Sequence, residues 1–271
     1  MTYQPARFEE LWLLDMVRPF FTQQLITDVV SRVKGGKEAS VYRCVAADGL
    51  DTNVLAAKVY RPRMFRNLRQ DHQYREGRGM IDMDGRAIRG NDARVLRAVN
   101  KGSAFGQQVR QSSWLSHEVL TINKLAEIGV DVPKIYASAE NAVLMTFLGD
   151  ALQTAPTLSE THLEEDEAKA VFDRLMHNVD LMLRAEVVHG DLSAFNVIYW
   201  RGDVTIIDFP QEVNPYINSH ARRFFERDVV RLCDYFQKQG VRCDGKALAK
   251  KMWRNYYDEN APVDYELRNG E

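Results

Sequence analysis

Residues 187–211, VVHGDLSAFNVIYWRGDVTIIDFPQ, form the stretch that decides the fold. They contain two short apolar runs, residues 197–200 and 204–207, and a polar turn lies next to each run. Arg201-Gly202-Asp203 separates the runs, and a tight Gly-containing turn between two such runs predicts an antiparallel hairpin. The hairpin would bring the residue before its first strand close to the residue after its second strand.

Three polar side chains flank this hairpin: Asp191, Asn196 and Asp208. We expect Asn196 to lie beside Asp208, and such oxygens suit Mg²⁺, which shares its coordination with substrate phosphates. Asp191 lies in the same loop as Asn196, where it can accept a proton from an incoming hydroxyl. The order H-x-D-x-x-x-x-N, strand, Asp-Phe matches the catalytic and metal loops of kinases. Polar turns that cap their own backbones are the alternative for each motif alone.

The composition is that of a globular protein, with 271 residues, 45% hydrophobic, 27% charged and a net charge of −2. This balance gives no overall attraction to nucleic acid or to an anionic membrane. The apolar runs are shorter than the roughly 18 residues of a membrane helix. Cys44, Cys233 and Cys243 form no C-x-x-C pattern and predict free thiols. We therefore expect a cytoplasmic protein with no signal peptide and no membrane partner.

Three short runs rich in β-branched residues, 25–33, 40–45 and 54–59, predict an antiparallel meander. The turn between the first two is rich in glycine and carries Lys37, with Ser40 just after it. We expect this turn to contact a phosphate of ATP, because glycines let backbone N–H groups approach closely. A plain hairpin turn is the commoner role for such a sequence.

Lys58 lies between apolar neighbours near the end of the third strand. Residues 114–127 predict an amphipathic helix, capped at its start by Ser112 or Ser113, with Glu118 on the buried stripe. A buried carboxylate needs a partner, which predicts an ion pair between Lys58 and Glu118, with Lys58 also contacting an ATP phosphate. In the alternative, Glu118 lies at the rim of the stripe and reaches water.

Residues 61–113 are rich in arginine and glycine and poor in apolar residues, with one short helix predicted over 91–99. A long insertion with little secondary structure is usually functional or disordered. Its charge could bind phosphates of ATP, a phosphoprotein or RNA, and a solvated loop is an equal alternative.

Runs 133–138 and 142–147 predict two further strands. The connector after them is expected to bind adenine through the main chain of Thr146 and Leu148, with Met145 packed behind the ring. Helices follow, the first with a capping box at Thr161 and Glu164.

The predicted fold is α+β and protein-kinase-like, with two lobes and a cleft between them. A small antiparallel sheet lobe with one helix precedes a mainly helical C-terminal lobe. The predicted segments are an N-terminal helical extension (1–24), the sheet lobe (25–147) that includes the insertion (61–113), and the helical lobe (148–271). In the helical lobe, Asp228 is either an acceptor for N–H groups of the catalytic loop or a surface residue.

Several motifs together resemble the RIO family of atypical serine/threonine protein kinases. GGKEASVY is similar to its phosphate loop, AAKVY to its strand lysine, WLSHEVLTINKLAEIGVDVPKIY to its regulatory helix, and HGDLSAFN and IIDFPQ to its catalytic and metal loops. The resemblance covers roughly residues 25–236 and is closest to bacterial-type members of the type-one subfamily. The segment before the first strand is too short for the winged-helix domain that some members carry.

The resemblance implies phosphoryl transfer that depends on ATP and Mg²⁺, with Mn²⁺ as a substitute. It implies a protein serine kinase that also acts on itself, an ATPase, or both. Asp191 would be the catalytic base, Asn196 and Asp208 the metal ligands, and Lys58 the phosphate lysine. In this family the aspartate at the position of Asp208 can itself take the phosphate. Family members are linked to ribosome assembly, which implies a ribosomal or RNA partner. The arginine-rich insertion, whose charge could contact RNA, looks different from most of the family.

Two other functions remain open. Small-molecule kinases of the aminoglycoside or choline type share H-G-D-x-x-x-x-N, but they usually read His-Pro-Gly where this chain has Ser193-Ala194-Phe195. The second is a nucleotide-binding assembly factor with weak catalysis, in which residues 61–113 contact RNA.

Overall fold

The computed structural model describes residues 1–36, 39–60, 73–74, 76, 78–88, 92–150 and 152–257. The predicted phosphate contact of Lys37 lies outside these residues, as does most of the first half of the arginine-rich insertion.

A five-stranded antiparallel sheet forms the N-terminal part of the fold, with strand order β1-β2-β3-β5-β4. The strands are β1 (Ile26–Gly35), β2 (Ala39–Ala46), β3 (Val54–Tyr60), β4 (Ile135–Ala139) and β5 (Ala142–Thr146). Helix α1 (Arg7–Thr22) buries Leu13, Val17 and Phe20 in one core with this sheet. Helix α1 continues through Pro19 as far as Thr22, and Phe20 on its last turn is fully buried.

Two helices come from the second half of the insertion and the stretch after it, α2 (Ala93–Asn100) and α3 (Ala104–Glu127). Helix α3 begins ten residues before the predicted start, with Ser103 as its cap accepting from Gly106 N–H at 3.1 Å. Ser113 does not cap a helix, because its hydroxyl accepts from Ile81 N–H at 2.9 Å. Residues 93–113 are thus mostly helical: α2 confirms the short helix predicted over 91–99, while the start of α3 corrects the expectation of little secondary structure in this half of the insertion.

The C-terminal part is mainly helical and has its own core. Its elements are α4 (Glu165–Arg184), β6 (Val197–Trp200), β7 (Asp203–Ile206), α5 (Ala221–Gln237) and α6 (Gly245–Tyr257), with short 3-10 turns at Leu158–Glu160 and Ala194–Asn196. The capping box predicted at Thr161 is wrong; Thr157 and Glu160 form it, one turn earlier. Thr161 instead donates its hydroxyl to the Thr157 carbonyl.

This arrangement confirms the predicted α+β, two-lobed, kinase-like fold: an antiparallel sheet with helix α3, then a helical part that carries the β6–β7 hairpin. The exact limits of the three predicted segments stay a prediction. Within the described ranges, every helix is too short or too polar to cross a membrane.

Candidate active site

The β6–β7 hairpin brings the two polar turns together. Its strands pair from Val197 opposite Ile206 to Trp200 opposite Asp203. Arg201 and Gly202 have φ of 53° and 94°, as in the tight hairpin turns that match strand twist. Asp203 is therefore a strand residue, which corrects the predicted three-residue turn.

Asn196 and Asp208 lie at the open end of this hairpin. Ile207 N–H donates to the Asn196 carbonyl at 3.0 Å, so Asp208 follows directly after a residue bonded to Asn196. Asp208 has φ of 72°, a left-handed conformation that aspartate tolerates better than most residues and that recurs at functional sites. The predicted proximity of the two turns is confirmed, while the metal-binding role of the two side chains stays a prediction.

The loop that carries Asp191 requires glycine just before it. Gly190 has φ of 79°, and a Cβ at this position would lie 2.2 Å from the Gln211 carbonyl oxygen. Glycine thus allows the catalytic loop to pack directly against the end of the metal loop at Gln211. Asn196 Nδ2 donates to the Asp191 carbonyl at 2.8 Å and closes the loop.

Asp228 on α5 anchors this loop from below. Its buried carboxylate accepts from Gly190 N–H at 2.8 Å and lies 3.3 Å from Arg227. Burial raises the pKa of Asp228 to about 7, against the effect of the Arg227 charge. Of the two alternatives for Asp228, the structure confirms the acceptor for catalytic-loop N–H groups.

We expect Asp228→Ala to lower the free energy of unfolding by about 2–3 kcal/mol, because it leaves the buried Gly190 N–H without its carboxyl acceptor. Chemical denaturation followed by circular dichroism measures this change. Asp234→Ala, an exposed acid on the same helix, is the matched control. Equal stability of the two variants would show that Asp228 does not hold the loop.

The predicted ion pair between Lys58 and Glu118 is present. Lys58 Nζ lies 2.7 Å from Glu118 Oε1 and 2.8 Å from Asp208 Oδ1. The side chains of Lys58 and Glu118 are only 12% and 2% exposed, whereas that of Asp208 is 46% exposed. Burial alone would lower the pKa of Lys58, but attraction by Asp208 and Glu118 raises it well above its usual value. The Lys58 ammonium also holds the pKa of Asp208 below its usual value, against the opposing effect of burial.

Helix α3 is tied to the metal loop at a second point. Trp114, one turn before Glu118, donates its indole N–H to the Pro210 carbonyl at 3.2 Å. Tyr60 donates its hydroxyl to Glu118 and lies edge-on to Trp114. Strand β3, helix α3 and the metal loop therefore form one connected cluster around Lys58.

Part of the arginine-rich insertion packs on the catalytic part. Arg78 lies 2.7 Å from Glu212 Oε1 in a mostly buried pair and donates to the Pro210 carbonyl at 3.3 Å. Tyr74 stacks on Phe224 with ring centroids 4.5 Å apart. These contacts place Tyr74 and Arg78 close to the catalytic loop, and Arg78 is paired within the protein itself.

A model of the RIO domain family matches residues 89–248, well over half of the chain. The chain belongs to the RIO domain family. It is 29% identical over 218 residues to the RIO-type serine/threonine-protein kinase Rio1 of Haloferax volcanii, covering 80% of this chain and 66% of that protein. It is 25% identical over 227 residues to the serine/threonine-protein kinase RIO1 of Homo sapiens, covering 81% of this chain and 35% of that protein.

The matched part of this chain thus spans 66% and 35% of the length of these two relatives. Among solved structures, a crystallised kinase domain matches over 70% of this chain and 53% of that chain, with 11% identity and a TM-score of 0.39. The subfamily within the RIO family stays a prediction.

The structure favours one of the other predicted nucleotide contacts, Met145, and disfavours another, Ser40. Met145 lies opposite Ala56 on the sheet face that also carries Lys58. Ser40 lies opposite Val59, one residue out of step with Lys58, so its buried side chain is on the other face of the sheet. This placement disfavours a contact between the Ser40 hydroxyl and a nucleotide.

Two backbone groups at the end of β5 and after it form hydrogen bonds within the protein. Thr146 N–H donates to the Lys134 carbonyl at 2.9 Å, and the Leu148 carbonyl accepts from Ala155 N–H at 3.0 Å. The Thr146 N–H and the Leu148 carbonyl are therefore unavailable to adenine. The Leu148 N–H is the main group of the predicted contact that stays available.

Sequence reasoning missed Lys34 and Tyr60. Lys34 lies opposite Val41, which lies opposite Lys58, so both lysines belong to one row on the same sheet face. The charge of Lys34 also contributes to the lowered pKa of Asp208. The alternation of Lys58 and Tyr60 along β3 could have revealed Tyr60, whereas Lys34 required the strand register.

Proposed function

We propose that this member of the RIO family binds ATP with Mg²⁺ in the cleft between its two lobes and transfers the γ-phosphoryl group to a serine or threonine hydroxyl of a protein, itself included. The observation that carries this proposal is the cluster around Asp208, where the metal loop meets Lys58 at 2.8 Å and Lys58 meets Glu118 at 2.7 Å. A lysine paired in this way and a loop of the form H-x-D-x-x-x-x-N are the parts that protein kinases use. The relatives named as serine/threonine-protein kinases support the same activity.

The donor atoms of Asn196 and Asp208 fit Mg²⁺. Asn196 Nδ2 is committed to the Asp191 carbonyl, which leaves the amide oxygen for a cation. Asp208 Oδ1 faces Lys58, which leaves the second carboxylate oxygen. Amide and carboxylate oxygens are ligands for Mg²⁺ and also for Mn²⁺. When bound, the metal supplies positive charge that neutralises the phosphate oxygens.

The chain's own groups then divide the remaining work. Lys58 orients the phosphates, while Asp191 accepts the proton of the attacking hydroxyl. The hydroxyl oxygen forms a bond to the γ-phosphorus as the bond to the bridging oxygen breaks and ADP leaves. We place adenine against Met145 and the Leu148 N–H.

We expect Lys34→Ala to raise the KM for ATP about fivefold with kcat nearly unchanged, because an exposed charge contact contributes about 1 kcal/mol to binding. Steady-state kinetics over a range of ATP concentrations measure this change. Lys250→Ala, an exposed lysine on α6, controls for the loss of one positive charge. A KM for ATP equal in the two variants would remove Lys34 from the phosphate site.

An ATPase cycle through Asp208 is the second candidate. Its side chain is 46% exposed, so one carboxylate oxygen is accessible from the cleft. In this cycle that oxygen attacks the γ-phosphorus, ADP leaves, and water then hydrolyses the acyl phosphate.

A single-turnover assay with γ-labelled ATP tests the proposal. Label on protein serine or threonine supports the kinase, acid-labile label on Asp208 supports the ATPase cycle, and label on small alcohols alone supports a small-molecule kinase. Unconsumed ATP would contradict all three.

We also propose a reducing compartment, the cytoplasm, as the location. Cys44, Cys233 and Cys243 are free thiols, as predicted. The RNA or ribosomal partner predicted for the insertion rests on arginines other than Arg78, since Arg78 is paired with Glu212.

A further inference from the structure

The Asp191 carboxylate is held by a residue from a distant element. Arg231 Nη1 on α5 lies 2.8 Å from Asp191 Oδ1. The two side chains are 43% and 52% exposed, so both face the open side of the catalytic loop. Arg231 lies on α5, whose nearby residues Val229 and Leu232 are fully buried, so its backbone is held against the core.

The other contacts of the loop leave this carboxylate free to rotate. Asp191 N–H donates to His189 Nδ1 at 3.3 Å, and Asn196 Nδ2 donates to the Asp191 carbonyl at 2.8 Å. Both contacts fix the backbone of Asp191 and not its side chain. A half-exposed carboxylate without a side-chain partner would populate several rotamers, and misplacement by about 1 Å can cost about 10² in rate.

The catalytic loop, residues 191–196 (DLSAFN), contains no lysine or arginine of its own. Arg227, one turn before Arg231, is committed to the Gly190 carbonyl and to Asp228. Arg231 is therefore the arginine of α5 that lies on the Asp191 side chain.

The ion pair between Arg231 and Asp191 is too weak to contribute much to folding. An ion pair between two half-exposed side chains contributes only about 0–1 kcal/mol to stability. Its removal should leave the fold intact, so an effect on rate reports on the orientation of Asp191.

We infer that Arg231 is a positioning residue for phosphoryl transfer, holding Asp191 Oδ1 so that Oδ2 faces the acceptor hydroxyl. This inference rests on the proposed function, with Asp191 as the base. Arg231 acts through Asp191, and the proton of the acceptor still goes to the aspartate.

The test compares Arg231→Ala, Arg231→Lys and the control Arg222→Ala, an exposed arginine on the same helix. We expect Arg231→Ala to lower kcat about 10–100-fold, with an unchanged KM for ATP and an unchanged melting temperature. Arg231→Lys should recover part of the rate, because it keeps one charged donor. Added guanidinium ion should raise the rate of Arg231→Ala but not that of Arg222→Ala.

Asp191→Asn in the same assay separates the two ideas. If Asp191→Asn lowers kcat strongly while Arg231→Ala keeps the wild-type kcat, the role of Arg231 is overturned and the proposed function is retained. A loss in Arg231→Ala that follows a lowered melting temperature and resists guanidinium would also overturn it. A wild-type protein without phosphoryl transfer would overturn both.

Discussion

Asp191→Ala is expected to lower kcat for phosphoryl transfer by about 10²–10⁴, the usual contribution of a general base. The side chain is half exposed and lies on the loop that Asn196 and Asp228 hold in place through the backbone. Its removal should therefore leave ATP binding and the fold nearly unchanged. Initial rates with labelled ATP and saturating acceptor measure the loss.

Two variants control this result. Asp191→Asn keeps the shape of the side chain and removes its basicity, so it should lose nearly as much rate as the alanine variant. Asp234→Ala removes a surface acid from α5 and should keep the wild-type rate. Phosphoryl transfer that continues unchanged in both Asp191 variants would show that another group takes the proton.

Lys58→Ala is expected to lower the free energy of unfolding by about 3–5 kcal/mol and to abolish measurable ATP binding. It leaves the buried Glu118 carboxylate without its cation, and an uncompensated buried charge is costly. Glu118→Ala should lower the free energy of unfolding by less than Lys58→Ala does, because Lys58 keeps Asp208 as a partner at 2.8 Å. Chemical denaturation measures stability, and calorimetric titration with ATP measures binding.

A double-mutant cycle isolates the pair. Lys58 and Glu118 are in direct contact. The sum of the two single effects on the free energy of unfolding should therefore differ from the effect of the double substitution by about 1–3 kcal/mol. Lys250 on α6 has no contact with Lys58, so in the matched cycle of these two residues the effects on the free energy of unfolding should add. Strict additivity for Lys58 and Glu118 would mean that the contact contributes no coupling energy.

The hairpin and the ion pair could be predicted because their signals are local or follow from periodicity. Two apolar runs around Gly202 specify β6 and β7, and the helical stripe that contains Glu118 places a carboxylate in the interior. A buried carboxylate needs a cation, and Lys58 in β3 was the candidate that the strand pattern offered.

The features that could not be predicted depend on tertiary contacts. Ser113 resembles a helix cap in sequence, but its hydroxyl is used by Ile81 N–H, and the helix begins at Ala104. The side of the sheet on which Ser40 lies follows from its register with Val59, which residue type does not specify.

The contact of Arg231 with Asp191 joins residues from two separate elements, and no motif links them. Arg78 has the same character, since its partner Glu212 is far along the chain. In both cases a charged residue has a specific partner across the fold that its own sequence neighbourhood does not indicate.

A crystal structure with Mn²⁺ and a non-hydrolysable ATP analogue tests the central claim most directly, because the anomalous signal locates the metal. The account predicts one Mn²⁺ ion bound by the Asn196 amide oxygen and an Asp208 carboxylate oxygen, with phosphate oxygens completing its shell and Lys58 on the phosphates. A nucleotide bound elsewhere, or a cation that contacts neither Asn196 nor Asp208, would contradict it.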